Sequence, residues 1–219
     1  MTENAVIFDL DGVIVSTDDC HYRAWKRLAD EEGIYFDREI NHRLRGVSRM
    51  ESLSIVLERA NRPYTTEERQ ALAERKNGYY RELINELTPE HILPGVMPLM
   101  ERLKEHGIKI AIGSSSKNTP LILERLGLAN YFDAVADGNA VKNSKPDPEV
   151  FLLAAAKLGI PPAQCVVVED ADAGVEAALA AGMRVIGVGT AACNPRATLT
   201  VDSLADLSWE ELTPCFNGV

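Results

Sequence analysis

Apolar and polar positions change rhythm several times along this chain, and each change predicts an element. Ala5-Val6-Ile7-Phe8 is a short run with β-branched members, suited to a buried parallel strand. From about residue 18 to residue 90 the spacing is helical. Trp25, Leu28 and Ala29 stand at i, i+3 and i+4, and Leu53, Val56, Leu57 and Ala60 repeat that spacing. Thr65-Thr66-Glu67-Glu68 reads as a helix start with acids in the first turn, opening a long polar helix to about Asn85. No alternating strand pattern interrupts this block.

After Leu93-Pro94-Gly95 strands and helices alternate. Helices are expected over 96–105, 120–126, 147–157 and 173–181, with Gly107, Gly127 and Gly182 as stops. Strands are expected over 108–113, 134–136, 165–168 and 184–188, the last of these closing the sheet, and a short helix near 208–212 ends the chain. The fold class is therefore α/β: a Rossmann-like parallel sheet covered by helices on both faces, with an inserted α-helical cap. Residues 1–16 and 92–219 are assigned to the α/β core and residues 17–91 to the cap. The two crossings between them form a natural hinge.

Composition narrows the partners. The 219 residues hold 23 Lys plus Arg against 33 Asp plus Glu, a net charge of −10. That balance argues against a non-specific nucleic-acid or anionic-membrane binder, while leaving room for a locally basic pocket. No apolar run reaches spanning length, and no cationic leader precedes the first strand, so a cytoplasmic protein is expected. Cys20, Cys165, Cys193 and Cys215 lack metal-finger spacing and read as reduced thiols.

The candidate chemistry gathers at strand ends. Asp9 and Asp11 follow the first strand two residues apart, so both project the same way from its C-terminal end. Ser114, Lys145 and Glu169-Asp170 also stand at or just after expected strand ends, and in a parallel sheet those ends meet along one edge. Several carboxylates together suit a hard cation, and one Mg2+ per chain is expected. A cation, a lysine and hydroxyl donors are what the charge on a transferring phosphoryl group needs, and an Asp can be its covalent acceptor. Plainer readings stand beside these. Asp-x-Asp-Gly can be a turn, Glu169-Asp170 and the serines can be helix caps, and Lys145, Arg49 and Lys117 can be solvated charges. Trp25 can be cap core.

Asp9-Leu10-Asp11-Gly12-Val13, Ser114, Lys145-Pro146-Asp147-Pro148 and Val168-Glu169-Asp170 resemble the four motifs of the haloacid dehalogenase-like superfamily. That resemblance implies Asp9 as nucleophile and Asp11 as general acid/base. It also implies Mg2+ held by Asp9, Asp11 (through its main-chain oxygen) and Asp170 with Glu169 beside it, and Ser114 and Lys145 gripping the phosphoryl. The segments around Thr17, His21 and Trp25, Arg45-Gly46-Val47-Ser48-Arg49 with Ser52, and Ser114 to Asn118 resemble the β-phosphoglucomutase family. In that family the arginine matching Arg49 binds the non-reacting phosphate, and Ser115, Ser116, Lys117 and Asn118 lie along the sugar-phosphate site. Gly46 and Val47 lie over the sugar, with Trp25, Ser52 and Lys76 near the closed pocket. The histidine matching His21 couples cap closure to Asp11.

Position 45 is Arg where Lys is expected, which changes the donor geometry offered to the sugar. The resemblance implies interconversion of β-glucose 1-phosphate and glucose 6-phosphate through an aspartyl phosphate, with β-glucose 1,6-bisphosphate as primer and intermediate. A monomer without nucleic-acid or membrane partners is expected. A Mg-dependent sugar-phosphate phosphatase of the same superfamily is the alternative.

Overall fold

The computed structural model of the protein describes residues 3–44 and 47–216. Six parallel strands lie in the order β3-β2-β1-β4-β5-β6: β1 (Ala5–Phe8), β2 (Lys109–Gly113), β3 (Ala134–Ala136), β4 (Cys165–Glu169), β5 (Arg184–Val188) and β6 (Leu199–Val201). β1 and β4 are buried at every position, as continuous apolar strands covered on both faces must be. In register, Phe8 lies beside Ile112 on one side and Val168 on the other. The chain runs outward from β1 in both directions, so the sheet's switch point lies at its centre, where open α/β sheets bind ligands.

The insert after β1 folds into four helices: α1 (Asp18–Glu31), α2 (Arg38–His42), α3 (Arg49–Leu57) and α4 (Thr66–Ile84). They enclose an apolar cluster of their own, built on Trp25, Leu28, Phe36, Leu53 and Leu72. Tyr80, Ile84 and Leu87 join instead the cluster under the sheet, so the foot of this helical cap is anchored in the core. Helices α5 (Val96–Glu105), α6 (Thr119–Arg125), α7 (Glu149–Leu158), α8 (Asp172–Ala180) and α9 (Trp209–Leu212) complete the structure.

Several expected details are corrected. α3 stops at Leu57, so Ala60 packs from beyond the helix rather than within it. Pro148 caps α7 instead of lying in its first turn. β5 is not the last strand, because Leu199–Val201 adds a short, partly exposed edge.

Two of the cap helices, α3 and α4, begin with reciprocal side-chain caps, Ser48 with Glu51 and Thr65 with Glu68, which satisfy amides that the first turn leaves unpaired. Gly78 lies exposed inside α4, and a Cβ there would meet nothing within 4 Å. Gly78→Ala should therefore stabilise the protein by about 1 kcal/mol, the helix-propensity difference between these residues. Thermal unfolding should show a rise of about 2–4 °C. A fall in Tm would mean that this turn of α4 needs glycine's freedom.

Candidate active site

Strand ends bring Asp9, Ser114 and Glu169 together, whereas Lys145, expected just after a strand, comes from the loop ahead of α7, well past the end of β3 at Ala136. Asp9 follows β1 directly, and its N–H still donates to the Val168 carbonyl at 2.9 Å, which fixes it against the end of β4. Ser114 follows β2 and is tied to β3 by an N–H bond to Ala136 O. Lys145 is buried ahead of α7, and its Nζ reaches Asp9 Oδ1 at 2.5 Å and Glu169 Oε2 at 2.8 Å. Burial alone would lower the Lys145 pKa, but the two carboxylates outweigh it and hold the ammonium charged.

One ammonium does not balance the carboxylates around it. Asp9, Glu169 and Asp170 offer ligand atoms within 4.8 Å of one another. Burial, then the neighbouring carboxylates, push the Asp170 pKa upward, and burial raises that of Glu169 despite Lys145. A divalent cation with oxygen preference relieves this crowding, so the donor set fits a metal. The backbone is shaped around the same carboxylates. Gly12 adopts φ +83°, and a Cβ there would lie 2.1 Å from Asp170 Oδ2; a Cβ on Gly174 would lie 2.0 Å from Glu169 Oε2. Glu169 Oε1 accepts from the N–H groups of Asp170 and Ala171, whereas α8 starts only after Ala171. Glu169 thus braces the loop and Lys145 rather than capping a helix.

The Asp11 carboxylate turns away from that cluster. Thr17 donates to both of its oxygens, from N at 2.7 Å and from Oγ1 at 2.6 Å, and Tyr80 on α4 donates in turn to Thr17 Oγ1 at 3.0 Å. Burial raises the Asp11 pKa to about 6, against the lowering effect of the Thr17 hydrogen bonds. A carboxyl poised there is suited to give and take protons near neutrality.

Above these groups lies a cleft of about 1300 Å³ between sheet edge and cap. That exceeds the roughly 300–1,000 Å³ typical of small-molecule pockets, leaving room for a phosphorylated sugar with solvent. From the cap, Lys76 is buried with Nζ 2.9 Å from His21 Nδ1 and 4.7 Å from the rings of both Trp25 and Tyr80. Burial, then the Arg49 charge, holds the Lys76 pKa well below the ordinary lysine value. Burial, then Lys76, keeps His21 neutral, with Nε2 at 3.8 Å from Asp11 Oδ2. From the core, the loop Ser114–Asn118 is built on serine turns: Ser114 Oγ accepts from Ser116 N–H, and Ser116 Oγ from Asn118 N–H.

Comparison with known proteins bears on this arrangement. Residues 3–182 match the sequence family of haloacid dehalogenase-like hydrolases. The chain belongs to that family. A β-phosphoglucomutase of Bacillus subtilis is 47% identical over 95% of this chain and 93% of its own length. A phosphorylated carbohydrates phosphatase of Thermotoga maritima is 35% identical over 95% of each chain. Among solved structures, a β-phosphoglucomutase from Clostridium difficile superposes with a TM-score of 0.92 at 43% identity, covering 98% of this chain and 97% of the other.

Within this haloacid dehalogenase-like hydrolase, Asp9, Asp11, Ser114, Lys145, Glu169 and Asp170 all face the cleft, as do His21, Trp25, Val47, Arg49, Ser52, Lys76, Ser115, Ser116, Lys117 and Asn118. Thr17 touches the site through Asp11. Arg45 and Gly46 lie outside the described residues. Trp25 is buried in the cap cluster and also lines the cleft, with Lys76 Nζ 4.7 Å from its ring. Ser115 Oγ and Asn41 Oδ1 are buried without a hydrogen-bond partner among the described residues, and both residues line the cleft. Sequence reasoning missed Tyr80, Asn77, Glu74 and Asn41. The first three, with Gln70 and Ala73, recur at helical spacing along α4, a mixed polar and apolar stripe that carries no clear hydrophobic period.

Proposed function

We propose that the protein is a β-phosphoglucomutase, interconverting β-glucose 1-phosphate and glucose 6-phosphate in the cytoplasm as a monomer. Residues 1–16 and 92–219 form its core and residues 17–91 its cap. The observation that carries this reading is the pairing of Asp9, braced by Lys145, with a cap wall bearing Arg49 and Lys76 across one cleft. A mutase holds a bisphosphate by one end while the other reacts, then rebinds it reversed, so it needs a second cationic site. Arg suits that site because its planar fork meets phosphate bidentately. The domain division draws support from the two connectors touching: Val15 bridges Asp11 and Ile92, and Leu93 N–H donates to Ile14 O.

In the cycle, phospho-Asp9 gives its phosphoryl to the 6-hydroxyl of β-glucose 1-phosphate, forming one P–O bond as the acyl phosphate P–O bond breaks. Asp11 takes the hydroxyl proton. After the bisphosphate reverses, Asp9 attacks the C1 phosphoryl and Asp11 returns the proton to the departing C1 oxygen. Lys145 and Ser114 hold the transferring oxygens, and Arg49 with Ser116, Lys117 and Asn118 holds the far phosphate. Asp9, Asp170 and the Asp11 main-chain oxygen would hold Mg2+, with Glu169 beside it. Bound there, Mg2+ supplies charge neutralisation for the phosphoryl oxygens. Closing the cap excludes the water that would hydrolyse phospho-Asp9.

The test is incubation with Mg2+, β-glucose 1-phosphate and bisphosphate primer. Glucose 6-phosphate should accumulate with little free phosphate. Free phosphate without glucose 6-phosphate would replace this reading with the phosphatase one.

Asp11→Ala should separate the two halves of the chemistry. Transfer to the sugar should slow by about 10²–10⁴-fold, the usual worth of a positioned acid/base. Phosphorylation of Asp9 by acetyl phosphate needs no proton on its leaving group and should slow far less. Equal losses in the two assays would contradict the role of Asp11.

A further inference from the structure

Glu74 is the acidic member of the α4 stripe that lines the cleft. Its Oε1 accepts from Arg49 Nη1 at 2.9 Å. The two partners are unequal: the Glu74 side chain is 73% exposed and that of Arg49 24%. Arg49 is the first residue of α3, whose start is locked by the Ser48–Glu51 cap, so its base is fixed while Glu74 can swing into solvent. An ion pair with one partner this exposed is weak. It nevertheless places a negative charge where the reading of Arg49 puts the substrate's far phosphate.

We propose that Glu74 is a resident counter-ion for Arg49, displaced by the non-reacting phosphate of the substrate, and that it sets the affinity of that distal site. The inference rests on Arg49 as the distal phosphate ligand. A phosphate ester carries nearly two charges and more acceptor oxygens than a carboxylate, so it wins the guanidinium from Glu74. A neutral or singly charged group at that end leaves the pair intact. Glu74 therefore biases the cleft toward phosphate at the distal position while weakening every such ligand, including the bisphosphate that must let go in order to turn. Asn118 is held in a parallel way, its Nδ2 donating to Asn77 Oδ1 of the same stripe at 2.9 Å.

Glu74→Gln tests this, with Arg49→Ala and the double variant as companions. The KM for β-glucose 1-phosphate should fall by about 2- to 5-fold in Glu74→Gln, with kcat changed by less than about 2-fold. The difference in KM should shrink as salt is added, because exposed charges are screened. Phosphorylation by acetyl phosphate, which has no distal phosphate, should be unchanged. In the Arg49→Ala background the Glu74 substitution should have no effect. An unchanged or raised KM in Glu74→Gln, with Arg49→Ala still raising KM, would overturn the role of Glu74 alone. No effect of Arg49→Ala on KM would remove the distal-site reading and this inference with it.

Discussion

Asp9→Asn should lower mutase kcat by at least about 10⁴-fold, the scale on which loss of a covalent nucleophile is felt. An amide neither attacks phosphorus effectively nor offers a second charge to a cation. The variant should nevertheless fold. Lys145 keeps its bond to Glu169 Oε2 at 2.8 Å, so no buried ammonium is left unpaired, and one crowded carboxylate is gone. Steady-state rates and thermal unfolding on the same sample check both halves. Turnover within about 10-fold of the parent would remove Asp9 from the chemistry.

Lys145→Ala should be costly in both stability and rate. Its ammonium is the buried positive group between Asp9 and Glu169, and deleting it leaves carboxylates facing each other without compensation. Breaking a buried pair from one side typically costs about 3–5 kcal/mol, and the loss should be largest with metal chelated, when no other cation is present. Adding Mg2+ should restore part of the Tm. The rate should still fall by about 10²–10³-fold, because a donor aimed at the transferring oxygens is missing. If Lys145→Ala unfolds at the parent Tm under chelation, the lysine is not what compensates these carboxylates.

The two variants share a cause, the crowding of like charges at the centre of the sheet. That crowding was legible in the sequence because each carboxylate follows an apolar run whose length and branching announce a buried strand. Ala5–Phe8 and Cys165–Glu169 could hardly lie elsewhere than in the sheet's interior, and parallel strands put their C-terminal ends on one edge. The edge strand Leu199–Val201 escaped notice because three partly exposed residues carry almost no periodic signal. The helix Arg38–His42 falls within the block expected to be helical, but five residues are too few for their spacing to mark it separately.

The cap wall was harder to read. α4 is polar for most of its length, so hydrophobic spacing does not say which side faces the cleft. Glu74 and Asn77 declare themselves only through their partners on other elements, Arg49 and Asn118. The Tyr80–Thr17–Asp11 chain likewise joins residues 63 and 6 positions apart, and no local pattern encodes that meeting. Motif residues fixed at strand ends are predictable from topology, whereas groups that act through side-chain reach across the cleft are not.

In the proposed cycle Asp9 carries the phosphoryl group between the two positions of the sugar. That transfer can be followed by mixing the protein and Mg2+ with β-glucose 1,6-bisphosphate labelled in phosphate, quenching in acid, and mapping the label by peptide. Label should appear on the peptide containing Asp9 and chase into sugar phosphate when β-glucose 1-phosphate is added. Label on any other residue, or label leaving only as free phosphate, would contradict it.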